Sequence, residues 1–171
     1  MPDTFIKIAS VTVGSGGAAN IQFTSIPSTY TDLCLKVSAR SASSSGAAWN
    51  YIEVRPNGST ANGTWRQLYG DGSSAGSSTL FTGLLAAYGN DSSSTSNTFG
   101  NSETVIFNYA GSNLKSIGND AVTENNGTSA IASFFATQWA DTTAISSLTL
   151  VFGTGNFAQY STATLYGIKN S

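Results

Sequence analysis

Histidine does not occur in this chain, cysteine occurs once, at Cys34, and only 9% of the residues are charged. Each shortage excludes something. Without histidine there is no Ser-His or Cys-His nucleophilic pair, and no imidazole to act as a base near neutral pH. With one thiol and no imidazole, zinc and other soft metals have almost no ligands to draw on. A single cysteine also forbids an intrachain disulfide, so an ordinary core, alone or with subunit contacts, must hold the fold. No apolar run approaches the roughly 20 residues that cross a bilayer as a helix. The opening Met1-Pro2-Asp3-Thr4 lacks the basic and apolar regions of a secretion signal. The expectation is a chain made and kept reduced in a cytoplasm, with no membrane partner.

The little charge present is also spread out. The seven basic residues, Lys7, Lys36, Arg40, Arg55, Arg66, Lys115 and Lys169, form no cluster. Nucleic-acid binding needs a basic face from which counterions can be released, so nucleic acid is not a partner. Disorder is excluded as well, because disordered chains combine low hydrophobicity with high net charge, whereas here the formal charge is -2 and 40% of residues are hydrophobic. Ser, Thr, Asn and 18 Gly supply a neutral polar surface. Such a surface suits a β protein that packs against copies of itself. The 171 residues fit one domain, 1–171, with no linker and no convincing repeat.

What is there has period 2. Leu33, Leu35, Val37 and Ala39 alternate with Asp32, Cys34, Lys36, Ser38 and Arg40, which reads as a strand with one buried and one wet face. Ile6 and Ile8 precede Val11 and Val13 with a change of phase that predicts a bulge. Further runs are Ile21 and Phe23; Ile52 and Val54; Val105, Phe107 and Tyr109; Leu148, Leu150 and Phe152; Ala163, Leu165 and Gly167. Turn signals such as Asn57-Gly58, Asn62-Gly63 and Asn126-Gly127 separate them. The prediction is an all-β, antiparallel β-sandwich, jelly-roll-like, of eight to ten short strands. Leu80 to Ala87 is evenly balanced between a helical turn and a strand. Ser43 to Ala48 and Asp91 to Asn97 read as low-complexity surface loops at mobile tips.

Few residues are candidates for chemistry. Asp71, Asp91, Asp120 and Glu124 are the loop-like acids from which a calcium site would have to be drawn, without the spacing of an EF-hand. Asp120 with Glu124, or Glu53 with Glu103, is a conceivable carboxylate pair for glycoside hydrolysis. Nothing marks either pair as special, and structural acids are the plainer reading. Cys34 falls on the polar phase of its strand, which predicts a partly exposed, unreactive thiol. The chain is therefore read as no enzyme, with no cofactor. Trp49, Tyr51, Trp65 and Tyr69 form an aromatic stretch flanked by Asn50, Arg55 and Asn57. Three readings stay open for it: core, an oligomer interface rich in Trp, Tyr and Arg, or a glycan platform. Phe134, Phe135 and Trp139 read as core or interface.

The C-terminal segment Phe157-Ala158-Gln159-Tyr160-Ser161-Thr162-Ala163-Thr164-Leu165-Tyr166-Gly167-Ile168 resembles the ending of small virion structural proteins of tailed, notably marine, bacteriophages. Ile8-Ala9-Ser10-Val11-Thr12-Val13, the segment from Phe23 to Leu33, and Asn108-Tyr109-Ala110-Gly111 resemble the same family. The middle of the chain matches it least. The resemblance implies a β-sandwich displayed on a virion, as a head decoration (cement) protein or as part of a tail or fibre, with no catalytic motif. It further implies a homo-oligomer whose partner is the major capsid protein or a tail protein. The alternative is a tail- or fibre-associated module that binds host glycan through Trp49, Tyr51, Arg55, Trp65 and Tyr69.

Overall fold

Alternating side chains give strands, and strands are the only regular elements among the residues described by the computed structural model, 4–80 and 83–169. Strands β1 (Phe5–Thr12), β2 (Ile21–Phe23), β3 (Asp32–Ala39) and β4 (Trp49–Pro56) come first. Then follow β5 (Gly63–Gly70), β6 (Ala75–Leu80), β7 (Leu85–Asn90) and β8 (Gly100–Ile106). The last four are β9 (Lys115–Glu124), β10 (Ala130–Trp139), β11 (Leu148–Phe152) and β12 (Thr162–Ile168). Two antiparallel sheets result, one ordered β1-β12-β3-β8-β9-β10-β5-β6 and a smaller one ordered β2-β11-β4-β7.

The order has a simple origin. β1 pairs with β12, β2 with β11, β3 with β8 and β4 with β7, so the chain doubles back on itself as one long antiparallel ribbon. Successive pairs of that ribbon fall alternately in the larger and the smaller sheet. Eight strands wound in this way are a jelly roll. The other four are two inserted hairpins, β5–β6 and β9–β10, which lengthen the larger sheet from four strands to eight. Twelve strands among the described residues therefore stand where eight to ten were expected. The hairpins lack a clean apolar phase because polar residues interrupt their inward positions: Gln67 on β5, Lys115, Asn119 and Thr123 on β9, and Ser133 and Thr137 on β10 are all buried. The segment Leu80 to Ala87 is strand at both ends, in β6 and β7. Phe81 and Thr82, between them, lie outside the described residues.

The main core fills the space between the two sheets. Leu33, Leu35 and Val37 of β3, Ile52 and Val54 of β4, Leu148 and Leu150 of β11, and Leu165 of β12 meet there. A smaller cluster of Leu85, Ala121 and Phe135, with Trp65 and Tyr88 against it, lies where β7 packs under the inserted hairpins. Between the clusters the buried side chains bond one another: Gln67 donates to Ser133 Oγ at 2.9 Å, Asn119 to Thr104 Oγ1 at 2.7 Å, and Thr137 to the Leu85 carbonyl at 2.6 Å. Those bonded donors avoid the desolvation cost that an unbonded polar group would carry. The phase change in the first strand is a bulge: Lys7 pairs with Tyr166 and Ala9 with Leu165, leaving Ile8 unpaired. That bulge and Lys7 blunt one edge of the larger sheet.

Candidate functional site

The five residues singled out from the sequence divide between two sheets. Trp49, Tyr51 and Arg55 share the outer face of β4 with Glu53, the period-2 consequence of their spacing. The Tyr51 ring covers Gly153; a Cβ at that glycine would lie 2.0 Å from the ring, so only glycine lets the ring settle there. Tyr51 pairs in register with Tyr88 of β7. Trp49, Tyr51 and Tyr88, with Ser45 and Thr154, line an open groove of about 300 Å³. Arg55 is committed to its neighbour, with its guanidinium 2.7 Å from the Glu53 carboxylate.

Trp65 and Tyr69 are elsewhere, on the inward face of β5. Trp65 packs edge-on against Phe135, ring centroids 6.1 Å apart at 69°. Tyr88 links the two groups, 5.4 Å from the Phe135 centroid and bonded to the Gln67 amide at 3.2 Å. The aromatic stretch is therefore a platform on β4 plus packing residues under β5, joined by a tyrosine that sequence proximity did not suggest.

The acids do not converge. Asp71 caps the β5–β6 turn, its Oδ1 accepting the Ser73 and Ser74 amides at 2.9 and 2.7 Å. Those hydrogen bonds hold its carboxyl well below the ordinary value. Asp120 and Glu124 lie in β9 rather than in loops, and Glu53 and Glu103 lie in different sheets. The register instead places Asp120 opposite Glu103, whose carboxylate is 2.8 Å from Lys36 Nζ on an open, half-exposed sheet face. Among the described residues no three His, Cys, Asp or Glu side chains are grouped as a metal site.

The expected mobile tips are in fact tied together. Asp91 is fully buried, and its carboxylate accepts from the Ser45 and Ser93 amides and from both hydroxyls. Arg40 donates to the carbonyls of Ser94, Thr95 and Thr98 at 2.8, 2.9 and 3.1 Å, closing the loop after β7.

Cys34 corrects the reading of its strand. It is wholly buried rather than partly exposed, because β3 is central in its sheet and Tyr166 of β12 and Val105 of β8 flank it in register on that face. Burial, with Glu103 nearby, pushes the thiol up to about 11. A thiol both covered and protonated is a poor nucleophile. Ellman's reagent is therefore expected to leave the folded chain unmodified near pH 8 and to titrate one thiol after denaturation; rapid reaction of the native protein would contradict this.

The feature that sequence reasoning left unplaced is on the other side of the molecule. In β10, Phe135 and Trp139 point inward and are buried, while Phe134 is 68% exposed. Beside it Leu68 of β5 is 64% exposed and Val122 of β9 is 50% exposed. Phe134 pairs in register with Leu68, and Ala132 with Val122, so these side chains form one apolar patch on the outer face of the larger sheet. A shallow depression of about 460 Å³ lies over it, between Phe134, Leu68, Ala136, Arg66 and Thr79. The adjacent phenylalanines of β10 were the available signal, since period 2 must send one of the two outward.

Comparison with family models, with curated proteins and with solved structures gives no match. Function has to be argued from the chain's own surfaces, of which the apolar outer face and the aromatic groove on β4 are the two candidates.

Proposed function

We propose that the chain is a non-enzymatic structural subunit of a tailed-phage particle, a decoration subunit on the outside of the capsid. The observation that carries this reading is the apolar outer face of β9, β10 and β5. Contiguous apolar surface of this kind marks interaction sites, because leaving it in water is unfavourable. A subunit of an assembly covers such a face with protein. The few charges elsewhere on the chain fit the same role, since unpaired charges are costly to desolvate at tight subunit contacts. The jelly roll is also an architecture that recurs in capsid proteins, although it recurs in lectins as well, so the fold adds support without deciding between them.

The second reading is a tail-associated module that binds host glycan, favoured by the groove of Trp49, Tyr51 and Tyr88. Its rings are suited to stacking on sugars. Both readings meet in one experiment: gold-labelled antibody against this chain on intact virions, together with binding of the purified chain to emptied, undecorated heads. Label over the head and saturable binding to heads are expected. Label on the tail, with no head binding, would transfer the assignment to the glycan groove, and absence of label would remove the viral reading altogether.

A further inference from the structure

We infer that the groove on β4 binds an uncharged sugar ring, stacked on Tyr51, and excludes acidic sugars such as uronic and sialic acids. The inference rests on the reading of that groove as a glycan site, and it holds wherever on a particle the chain sits.

Tyr51 has the geometry of a stacking platform. Gly153 lies against the phenol end of its ring, at a place where any Cβ would run into the ring carbons. One ring face is thus set against backbone. The side chain is nevertheless 42% exposed, which leaves the other face to solvent. The C–H bonds on one side of a hexose carry partial positive charge and lie flat on the electron-rich face of such a ring. Trp49, two residues earlier on the same face of β4, and Tyr88, opposite Tyr51 in register, complete an aromatic wall.

Polar groups for the hydroxyls of a sugar stand beside the rings. Asn50 lines the groove and is buried. Its Nδ2 donates to the Thr154 carbonyl at 2.7 Å, which fixes the amide and leaves Oδ1 with no partner among the described residues. A buried acceptor left unbonded is costly, and a sugar hydroxyl can donate to it. Ser45, also in the lining, is held by Asp91, whose carboxylate accepts from its amide at 2.6 Å and from its hydroxyl at 2.9 Å. The site is therefore formed before a ligand arrives, which lowers the ordering cost of binding.

The charge class follows from the surroundings. No residue lining the groove is charged. Arg55, on the same face of β4, is paired with Glu53 at 2.7 Å. Arg40 directs its guanidinium to the carbonyls of Ser94, Thr95 and Thr98. Behind Ser45 the buried Asp91 carboxylate adds negative charge. A sugar carboxylate would lose water here without gaining a counterion, and would meet a like charge. An uncharged hexose carries no such cost. The volume of about 300 Å³ is at the small end for ligand clefts, which suits a single ring with the rest of a chain outside.

The test is a printed array of neutral and acidic oligosaccharides, followed by saturation-transfer NMR with the methyl glycoside of the strongest neutral binder. Chains of uncharged hexoses are expected to bind, and chains bearing uronic or sialic acid are not. For a single ring in so open a site, dissociation of the order of millimolar is expected. Tyr51→Ala, at an exposed position, should keep the thermal midpoint and weaken binding by roughly five- to tenfold. Gly153→Ala should weaken it as well, because it lifts the ring without removing it, whereas Tyr51→Phe, which keeps the ring, should lose less than Tyr51→Ala. Preference for the acidic chains, with the same dependence on Tyr51, would keep a glycan site and overturn the uncharged class. Binding that Tyr51→Ala and Gly153→Ala leave unchanged would put the sugar elsewhere and overturn the inference. Binding of no chain at all would remove the glycan reading together with it, and would leave the capsid role, which rests on a different face, as it stands.

Discussion

Phe157→Ala is expected to lower the stability of the folded chain by about 3–5 kcal/mol, the range found for deleting a buried aromatic ring. Phe157 belongs to no strand, yet it is wholly buried and packs on Phe152 with ring centroids 4.5 Å apart. Its backbone exchanges two hydrogen bonds with Ala18, at 2.8 and 3.0 Å, and its position bridges to Ser41 as well. The ring therefore anchors the β11–β12 connection to the connections after β1 and β3. Strands cannot collapse into the resulting cavity without breaking those pairings, so the cost should fall in the upper part of the range. Against a total of about 5–15 kcal/mol for a domain, such a loss is large. Urea denaturation should show a much lower midpoint with an unchanged slope, and a midpoint near that of the wild type would show that the site can relax.

Replacing Asp91 by Ala should cost about 1–3 kcal/mol, because it removes the buried charged acceptor of the Ser45 and Ser93 amides and hydroxyls. The carboxylate oxygens lie 2.6 Å from the Ser45 amide and 2.8 Å from the Ser93 amide. Burial pushes the Asp91 carboxyl up, but the hydrogen bonds from Ser93 and Ser45 together outweigh it and hold the group below its ordinary value. The sign of the pH dependence follows from that direction. A carboxyl depressed in the folded state contributes stability that is fully present above its unfolded value, near 4, and is lost as pH falls through the folded value. The difference in stability between wild type and Asp91→Ala should thus be constant near neutrality and shrink in acid below about pH 4. Hydrogen exchange at the Ser45 and Ser93 amides gives the local check, with protection present in the wild type and lost in the variant. Equal protection in both would mean that the backbone hydrogen bonds of Ser92 to Ser43 and Asp91 to Ala48 suffice to hold the loops.

The architecture was legible where strands have one apolar and one polar face. β3, β11 and β12 announce themselves, and the phase change in β1 becomes the Ile8 bulge. The inserted hairpins are not legible as core strands, because Gln67, Asn119, Ser133 and Thr137 face inward and are hydrogen-bonded there, Gln67 to Ser133, Asn119 to Thr104 and Thr137 to the Leu85 carbonyl. Alternation identifies which phase of a strand faces the core but not whether a neighbour covers the other phase. Cys34 differs from that expectation because Tyr166 and Val105 of the neighbouring strands cover it locally, while Lys36 on the same face stays exposed. The site residues show the same limit. Trp49 and Tyr51 share a face because they are two apart in one strand, whereas Trp65 and Tyr69 were grouped with them by proximity in sequence and belong to the other sheet. The exposed patch depends on which of two adjacent phenylalanines faces outward, and only the pairing of β10 with β9 and β5 settles that.

The doubled-back ribbon also dictates when the chain can fold. The β9–β10 hairpin closes locally, but β1 must wait for β12 and β2 for β11, and Phe5 finds its partner only at Ile168. Contacts so distant along the chain make folding slow, in the range of milliseconds to seconds once both strands are present. During synthesis, at roughly 5–20 residues per second, β1 stays unpaired for about ten to thirty seconds before its partner leaves the ribosome. The larger sheet is complete only once β12 has emerged, because until then it has no outermost strand pair.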